Sequence, residues 1–142
     1  MSRKIKAYVN TTVLVSIANP RDPNHGVFRK SLRKALREGH VLLTSTITFL
    51  ELYGKRSYNA ARRVIKEFSI KVCKVDEEAL IEKAREIIAK QRYSRKRTYD
   101  IAHVHAALTL KCNTIVSNDR FINRYARRKG LKAGRPQEIF ER

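Results

Sequence analysis

The stretch AYVNTTVLVSIANP, residues 7–20, sets the reading of the whole chain. Ala7-Tyr8-Val9 closes a short apolar run from Ile5 and reads as a buried strand, residues 5–9. Asn10-Thr11-Thr12 is small and polar, and the apolar run to Ala18 reads as a helix over 12–18. A strand that gives way to a helix through polar residues places those residues where α/β sheets bind ligands. Asn10 is therefore the first position to ask about. The question it raises is why the residue there is an amide rather than an acid.

The alternation continues outward. NPRDPNHG (19–26), with two prolines and a glycine, reads as a loop. A basic helix follows over 27–38, then a strand in HVLLT. Ser45 is a natural N-cap for a helix reaching about residue 53, and 58–68 is helical again. IKVCKV (70–75) alternates with period two and reads as a strand. Asp76 caps a long helix with Glu77 and Glu78 in its first turn, where the helix dipole favours acids. Its apolar stripe is Leu80, Ile81, Ala84, Ile87 and Ile88. YDIAHVHAALTLK is a further helix and TIVS (114–117) a short buried strand. Asp119 opens a last helix, which Gly130 stops. Strands alternating with helices predict an α/β fold: one domain over 1–142, a small parallel β-sheet flanked by helices on both faces.

The 142 residues carry 32 Lys and Arg against 13 Asp and Glu, a net charge of +19. Such a field attracts polyanions, and nucleic acid is the commonest. A thermophile's charged surface is the competing explanation, but it mixes both signs. Cys73 and Cys112 form no CxxC pair and sit among apolar residues, so buried free thiols are expected. The N-terminal MSRKIKAYV holds no long apolar segment, which predicts no signal peptide, no membrane span and a cytoplasmic location.

With so few acids, their positions are informative. Asp76, Glu77, Glu78, Glu82, Glu86, Glu38, Glu67, Glu138 and Glu141 read as solvated charges, and Asp22 lies in the proline loop. Glu51 instead interrupts the apolar helix TITFLELYG and calls for a cationic partner, an arginine on the simplest reading. Asp100 begins a helix after RYSRKRTY, and Asp119 follows the strand TIVS. Singly, Asp100 and Asp119 are ordinary helix caps. Together with Asn10 they belong to one edge of the sheet. Clustered carboxylates repel, and a divalent ion relieves them. Hard oxygen donors select Mg²⁺ or Mn²⁺, and a metal-holding acidic pocket on a basic protein suits phosphodiester chemistry.

Four segments carry a resemblance: AYVNTTVLVSIAN, STITFLELYG, TYDIAHVHAAL and TIVSNDRFINRYARRKGLK. In order, they are similar to the four motifs of the PIN-domain family, and the last block, with Asp119 and Phe121, is the most specific. Many PIN domains are Mg²⁺- or Mn²⁺-dependent ribonucleases, including VapC toxins of VapBC toxin–antitoxin pairs. The resemblance implies that Glu51, Asp100 and Asp119 form the acidic site, and that Asn10 occupies the usual place of the first metal-binding Asp. Thr12 matches the small hydroxyl residue beside it. Asn10 keeps the shape and one acceptor but loses the charge. It is either an alteration that silences a toxic nuclease or a natural Asn, and in both cases weak metal binding and low or absent activity are expected. An antitoxin partner and a homodimer are also implied.

The run before Asp100 brings Arg95, Lys96 and Arg97 towards the site for RNA backbone contact, with Tyr93 and Tyr99 available for base stacking. Other basic segments are RKSLRKALR (29–37), KRSYNAARR (55–63) and RRK (127–129). His103 and His105 follow Asp100 at i+3 and i+5; a surface or packing role is the simpler reading of His103, with lining of the site as the alternative, and His25 and His40 fall in loops. The expected function is a metal-dependent endoribonuclease, silenced or weakened by Asn10. The alternative is a naturally non-catalytic RNA-binding protein. A receiver-type signalling domain lacks support, since no adjacent acid pair follows the first strand. Neither GxGxxG nor GxxxxGK[ST] occurs.

Overall fold

The computed structural model of the chain describes residues 4–141. The expected domain of 1–142 thus includes residues 1–3 and 142, which lie outside the described residues. In chain order the elements are β1 (Lys6–Val9), α1 (Thr11–Ala18), α2 (His25–Arg37), β2 (Val41–Ser45), α3 (Thr46–Leu52), α4 (Ser57–Glu67) and β3 (Lys71–Cys73). Then come α5 (Glu77–Gln91), a 3₁₀ turn (Arg95–Arg97), α6 (Thr98–Thr109), β4 (Thr114–Val116), α7 (Arg120–Arg128), β5 (Lys132–Gly134) and α8 (Pro136–Phe140). The five strands form one parallel sheet in the order β3-β2-β1-β4-β5.

Because side chains alternate across a strand, the sheet buries two cores. Tyr8, Leu43 and Ile115 face a layer built by α3, α5, α6 and α7. Ala7, Val9, Leu42 and Val116 face the other, built by α1, α2, α4 and α8. The α/β domain with helices on both sides of a parallel sheet is as expected. So are the caps: Ser45 accepts from Ile47 N–H and Asp76 from Ala79 N–H. Of the predicted stripe on α5, Leu80, Ala84 and Ile88 are buried, while Ile81 and Ile87 lie half-buried at its flanks.

The differences have local causes. The helix from Asp119 is not the last: β5 and α8 follow it. β5 is Lys-Ala-Gly, which has no β-branched residue and becomes a strand only by pairing with β4. β3 is shorter than 70–75. Ile70 N–H still bonds Ile65 O at the end of α4, and Val75 N–H turns to the Thr46 hydroxyl. α2 starts at His25, taking in Gly26. Cys112 is buried and Cys73 only half-buried on the edge strand; both thiols are free. Glu67 is not simply solvated, since it pairs with Arg29 and Arg33, and Glu138 pairs with Arg135.

Candidate functional site

Chain order along the sheet reverses between β1 and β4: β2 and β3 lie on one side of β1, β4 and β5 on the other. Loops leaving the carboxyl ends of β1 and β4 therefore run apart and leave a crevice. Asn10 ends β1, and Ser117 and Asp119 end β4. Asn10 is 1% exposed. Its Oδ1 accepts from Thr12 N–H at 3.1 Å, the Thr12 hydroxyl at 2.9 Å and the Ser117 hydroxyl at 3.3 Å. The Thr12 hydroxyl oxygen also accepts from Asn118 N–H at 3.1 Å, and that of Ser117 from Asp119 N–H at 3.1 Å. Thr12 and Ser117 thus stitch the two strand ends together. Since Thr12 N–H fixes which end of the amide is oxygen, the rest of the Asn10 head is an NH₂ donor.

Asp119 caps α7, its Oδ1 accepting from Phe121 N–H at 2.8 Å and Ile122 N–H at 3.2 Å. Its other oxygen faces Arg97 Nη1 at 3.4 Å. The same Nη1 lies 3.2 Å from Asp100 Oδ2, in the first turn of α6. The Arg97 guanidinium also packs over the Phe121 ring, 4.5 Å from its centroid. Burial pushes the Asp100 carboxyl above its ordinary range. The charges of Asp119 and Glu51 push it the same way, against the pull of Arg97. Three carboxylates scattered through the sequence therefore share one electrostatic neighbourhood.

Glu51, on α3, does not find the expected arginine. Its Oε1 meets Nε2 of His103 at 2.8 Å. His103 is fully buried, so of its expected roles the surface one falls away and packing beside the site remains. Its Nε2 is also 3.1 Å from the Thr11 hydroxyl, and its Nδ1 is 2.7 Å from the Tyr8 hydroxyl. That hydroxyl in turn lies 2.6 Å from Ser45 Oγ. An ionised carboxylate can only accept, so Nε2 carries a proton towards Glu51. Burial alone would raise the Glu51 carboxyl, but the hydrogen bond from His103, aided by Thr11 and Lys55, holds it below its ordinary range.

A family model, the PIN domain, matches residues 7–128. The chain belongs to the PIN domain family. Among solved structures, VapC20 of Mycobacterium tuberculosis, a sarcin-ricin-loop-cleaving toxin, superposes with a TM-score of 0.60 at 18% identity, covering 84% of this chain and 95% of that one. VapBC2 of Rickettsia felis, solved bound to a DNA fragment from their promoter, gives 0.62 at 14% identity over 91% and 97%. At these identities the likeness is one of fold. No curated protein matches the chain significantly. Among the described residues no helix is long and apolar enough to cross a membrane.

Mg²⁺ or Mn²⁺, implied by the PIN resemblance, can be set against this donor set. Among the described residues no three Asp, Glu, His or Cys side chains converge in a way that would hold a metal ion. A guanidinium stands between Asp100 and Asp119, Glu51 is engaged by His103, and Asn10 offers an NH₂. As arranged, these residues do not fit a resident divalent cation. The positive charge among them belongs to Arg97.

The basic run before Asp100 divides. Tyr93 and Arg95, with Arg85, Arg92, Ile88 and Thr98, line a cavity of about 720 Å³ between the end of α5 and the 3₁₀ turn. Lys96 is exposed, whereas Arg97 turns into the acids. The Tyr93 ring packs edge-on against Phe121, centroids 5.1 Å apart, and Tyr99 is half-buried against the core. Sequence reading placed Thr11 with Asn10 and Thr12 at the end of β1 but missed Tyr8 and Ser117. Their signal was weak: a polar residue in or just after an otherwise apolar run. His103 was visible at one turn from Asp100, but its partner was not.

Proposed function

We propose that this PIN domain is the toxin of a VapBC-like pair, an endoribonuclease of the divalent-metal-dependent kind whose catalytic centre is silenced by Asn10. The observation that supports this reading is the pairing of Asp100 and Asp119 across Arg97 beside the β1/β4 switch point, with the charge of Glu51 acting on Asp100. The net charge of +19 supports a polyanionic substrate. That VapC20 is a sarcin-ricin-loop-cleaving toxin supports RNA as that polyanion, and the VapBC2 complex supports an antitoxin partner. A cytoplasmic homodimer completes the proposal.

In this reading the residues divide the work. Thr12 and Ser117 hold the two strand ends together, and His103 orients Glu51. Arg95 and Lys96, with Tyr93 and Tyr99, take the RNA strand near the crevice. Arg97 neutralises Asp100 and Asp119 in the resting chain. The position of Arg97 also favours a second reading, an RNA-binding PIN domain that does not cut.

RNA cleavage by Asn10→Asp, assayed with Mn²⁺ and with Mg²⁺ beside the parent chain, separates the two. The nuclease reading expects the variant to cut at least about 10²-fold faster than the parent. A variant that binds RNA but cuts none with either ion leaves the binding protein. A chain that binds no RNA removes both.

A further inference from the structure

A second cavity, of about 370 Å³, is lined by Asn118 and Arg120, the neighbours of Asp119 in the chain, and by Asn123, Arg124, Arg127, Arg135 and Glu138. Neither Glu51, Asp100 and Asp119 nor the basic run before Asp100 is among its lining residues. Arg120, Arg124 and Arg127 fall at i, i+4 and i+7 on α7, a single stripe of the helix. The buried face of α7 is Ile122, Asn123, Tyr125 and Ala126, so the stripe is its solvent side. Arg135 joins it from the carboxyl end of β5. There Ser117 N–H bonds Gly134 O at 2.9 Å and draws the β4 and β5 loops together.

Like charges at i and i+4 destabilise a helix, and α7 has four arginines and no acid to offset them. The one acid in the cavity, Glu138, is held by Arg135, with Nε 3.1 Å from Oε1. Arg127 is partly engaged, donating to Ala133 O at 2.8 Å. Arg120 and Arg124 are exposed, and their side chains make no hydrogen bond or ion pair to another described residue. An open pocket with unneutralised guanidinium forks is built for phosphate, which takes them two oxygens at a time. Its wall begins with the residues on either side of Asp119, so a strand lying in the crevice runs directly into it.

We propose that this arginine pocket is a second anchoring site for RNA, binding backbone phosphates next to the nucleotide held at the acidic crevice. The inference rests on the RNA reading above and adds to it a direction for the strand: from the Arg95 side, across Asp100 and Asp119, onto α7.

The test is a titration of fluorescein-labelled single-stranded RNA over a series of salt concentrations. It compares the parent chain, Arg120→Gln with Arg124→Gln, and a charge-matched pair, Arg63→Gln with Lys66→Gln, on α4 in the opposite layer. Melting curves confirm that each variant folds, and neither altered arginine of α7 carries a structural bond. The expected result is a loss of about tenfold in affinity for the α7 pair and a salt slope flatter by about 0.7 for each phosphate released, with a clearly smaller change for the α4 pair. Equal changes in the two pairs, or none in the α7 pair, overturn the pocket while leaving RNA binding standing. A parent chain that binds no RNA removes the RNA reading and the pocket together. Tight binding of an oligoglutamate peptide that depends on Arg120 and Arg124, with RNA indifferent to them, would make the pocket a docking site for an acidic segment and overturn the proposal.

Discussion

Arg97 and Asp119 lie 22 positions apart and meet with Nη1 and Oδ2 separated by 3.4 Å. The same nitrogen reaches Asp100 at 3.2 Å, and the Phe121 ring lies beneath the guanidinium. One side chain thereby supplies the countercharge for two carboxylates. The residue was expected to reach out for RNA; its geometry turns it inward.

Replacing Arg97 by Met should therefore leave two half-buried acids facing each other. Because the arginine is partly exposed, the stability loss should be modest, about 1 kcal/mol at neutral pH. It should shrink in acid as the raised Asp100 carboxyl protonates. Urea melts at pH 7 and in acid check this. A loss that is the same at both would place the role of Arg97 in its packing on Phe121 alone.

Glu51 and Asp100 belong to one site but are shifted oppositely, so their neutral isosteres should move stability in opposite directions. The depressed Glu51 carboxyl contributes stability above its unfolded value and loses it as pH falls. Glu51→Gln should cost about 1–3 kcal/mol at pH 7, a penalty that fades in acid. The raised Asp100 carboxyl favours the fold while protonated and loses that contribution as pH rises through its folded value. Asp100→Asn should therefore stabilise by up to about 1 kcal/mol at pH 7 and do nothing in acid. Thermal melts of both variants across this range are decisive if the two signs agree.

His105 gives a third handle, away from the acids. Its Nε2 lies 2.7 Å from the Tyr125 hydroxyl. Burial, with Lys83 and Lys129 nearby, lowers its pKa to about 4. Between the ordinary histidine range and about 4, the unfolded chain takes up a proton that the folded chain refuses, so stability falls as pH falls. The fall should reach about 3 kcal/mol and be flattened by His105→Gln. A variant that keeps the parent's slope would assign the loss to another group.

The sheet was legible in the sequence because its central strands are short apolar runs with caps behind them. Ser45, Asp76 and Asp119 all cap where expected. β5 was not legible, since Lys-Ala-Gly has no strand preference and its order comes from β4. The acids stood out because they are few: Glu51 interrupts an apolar helix, and Asp100 and Asp119 stand where helices begin. What holds them was not. Nothing in one dimension says that a histidine inside α6 will be bound by a tyrosine from β1, or that one arginine of a basic run will fold back while its neighbours stay outside. Those choices are made by packing across the sheet.

The most direct measurement is Mn²⁺ binding followed by electron paramagnetic resonance on the parent chain and on Asn10→Asp. With Asn10 offering an amide and Arg97 seated between Asp100 and Asp119, the parent should hold Mn²⁺ at least about tenfold more weakly than the variant. Equal, tight binding of one ion by both chains would contradict this. It would mean that the guanidinium does not occupy the place of a cation and that Asn10 silences nothing.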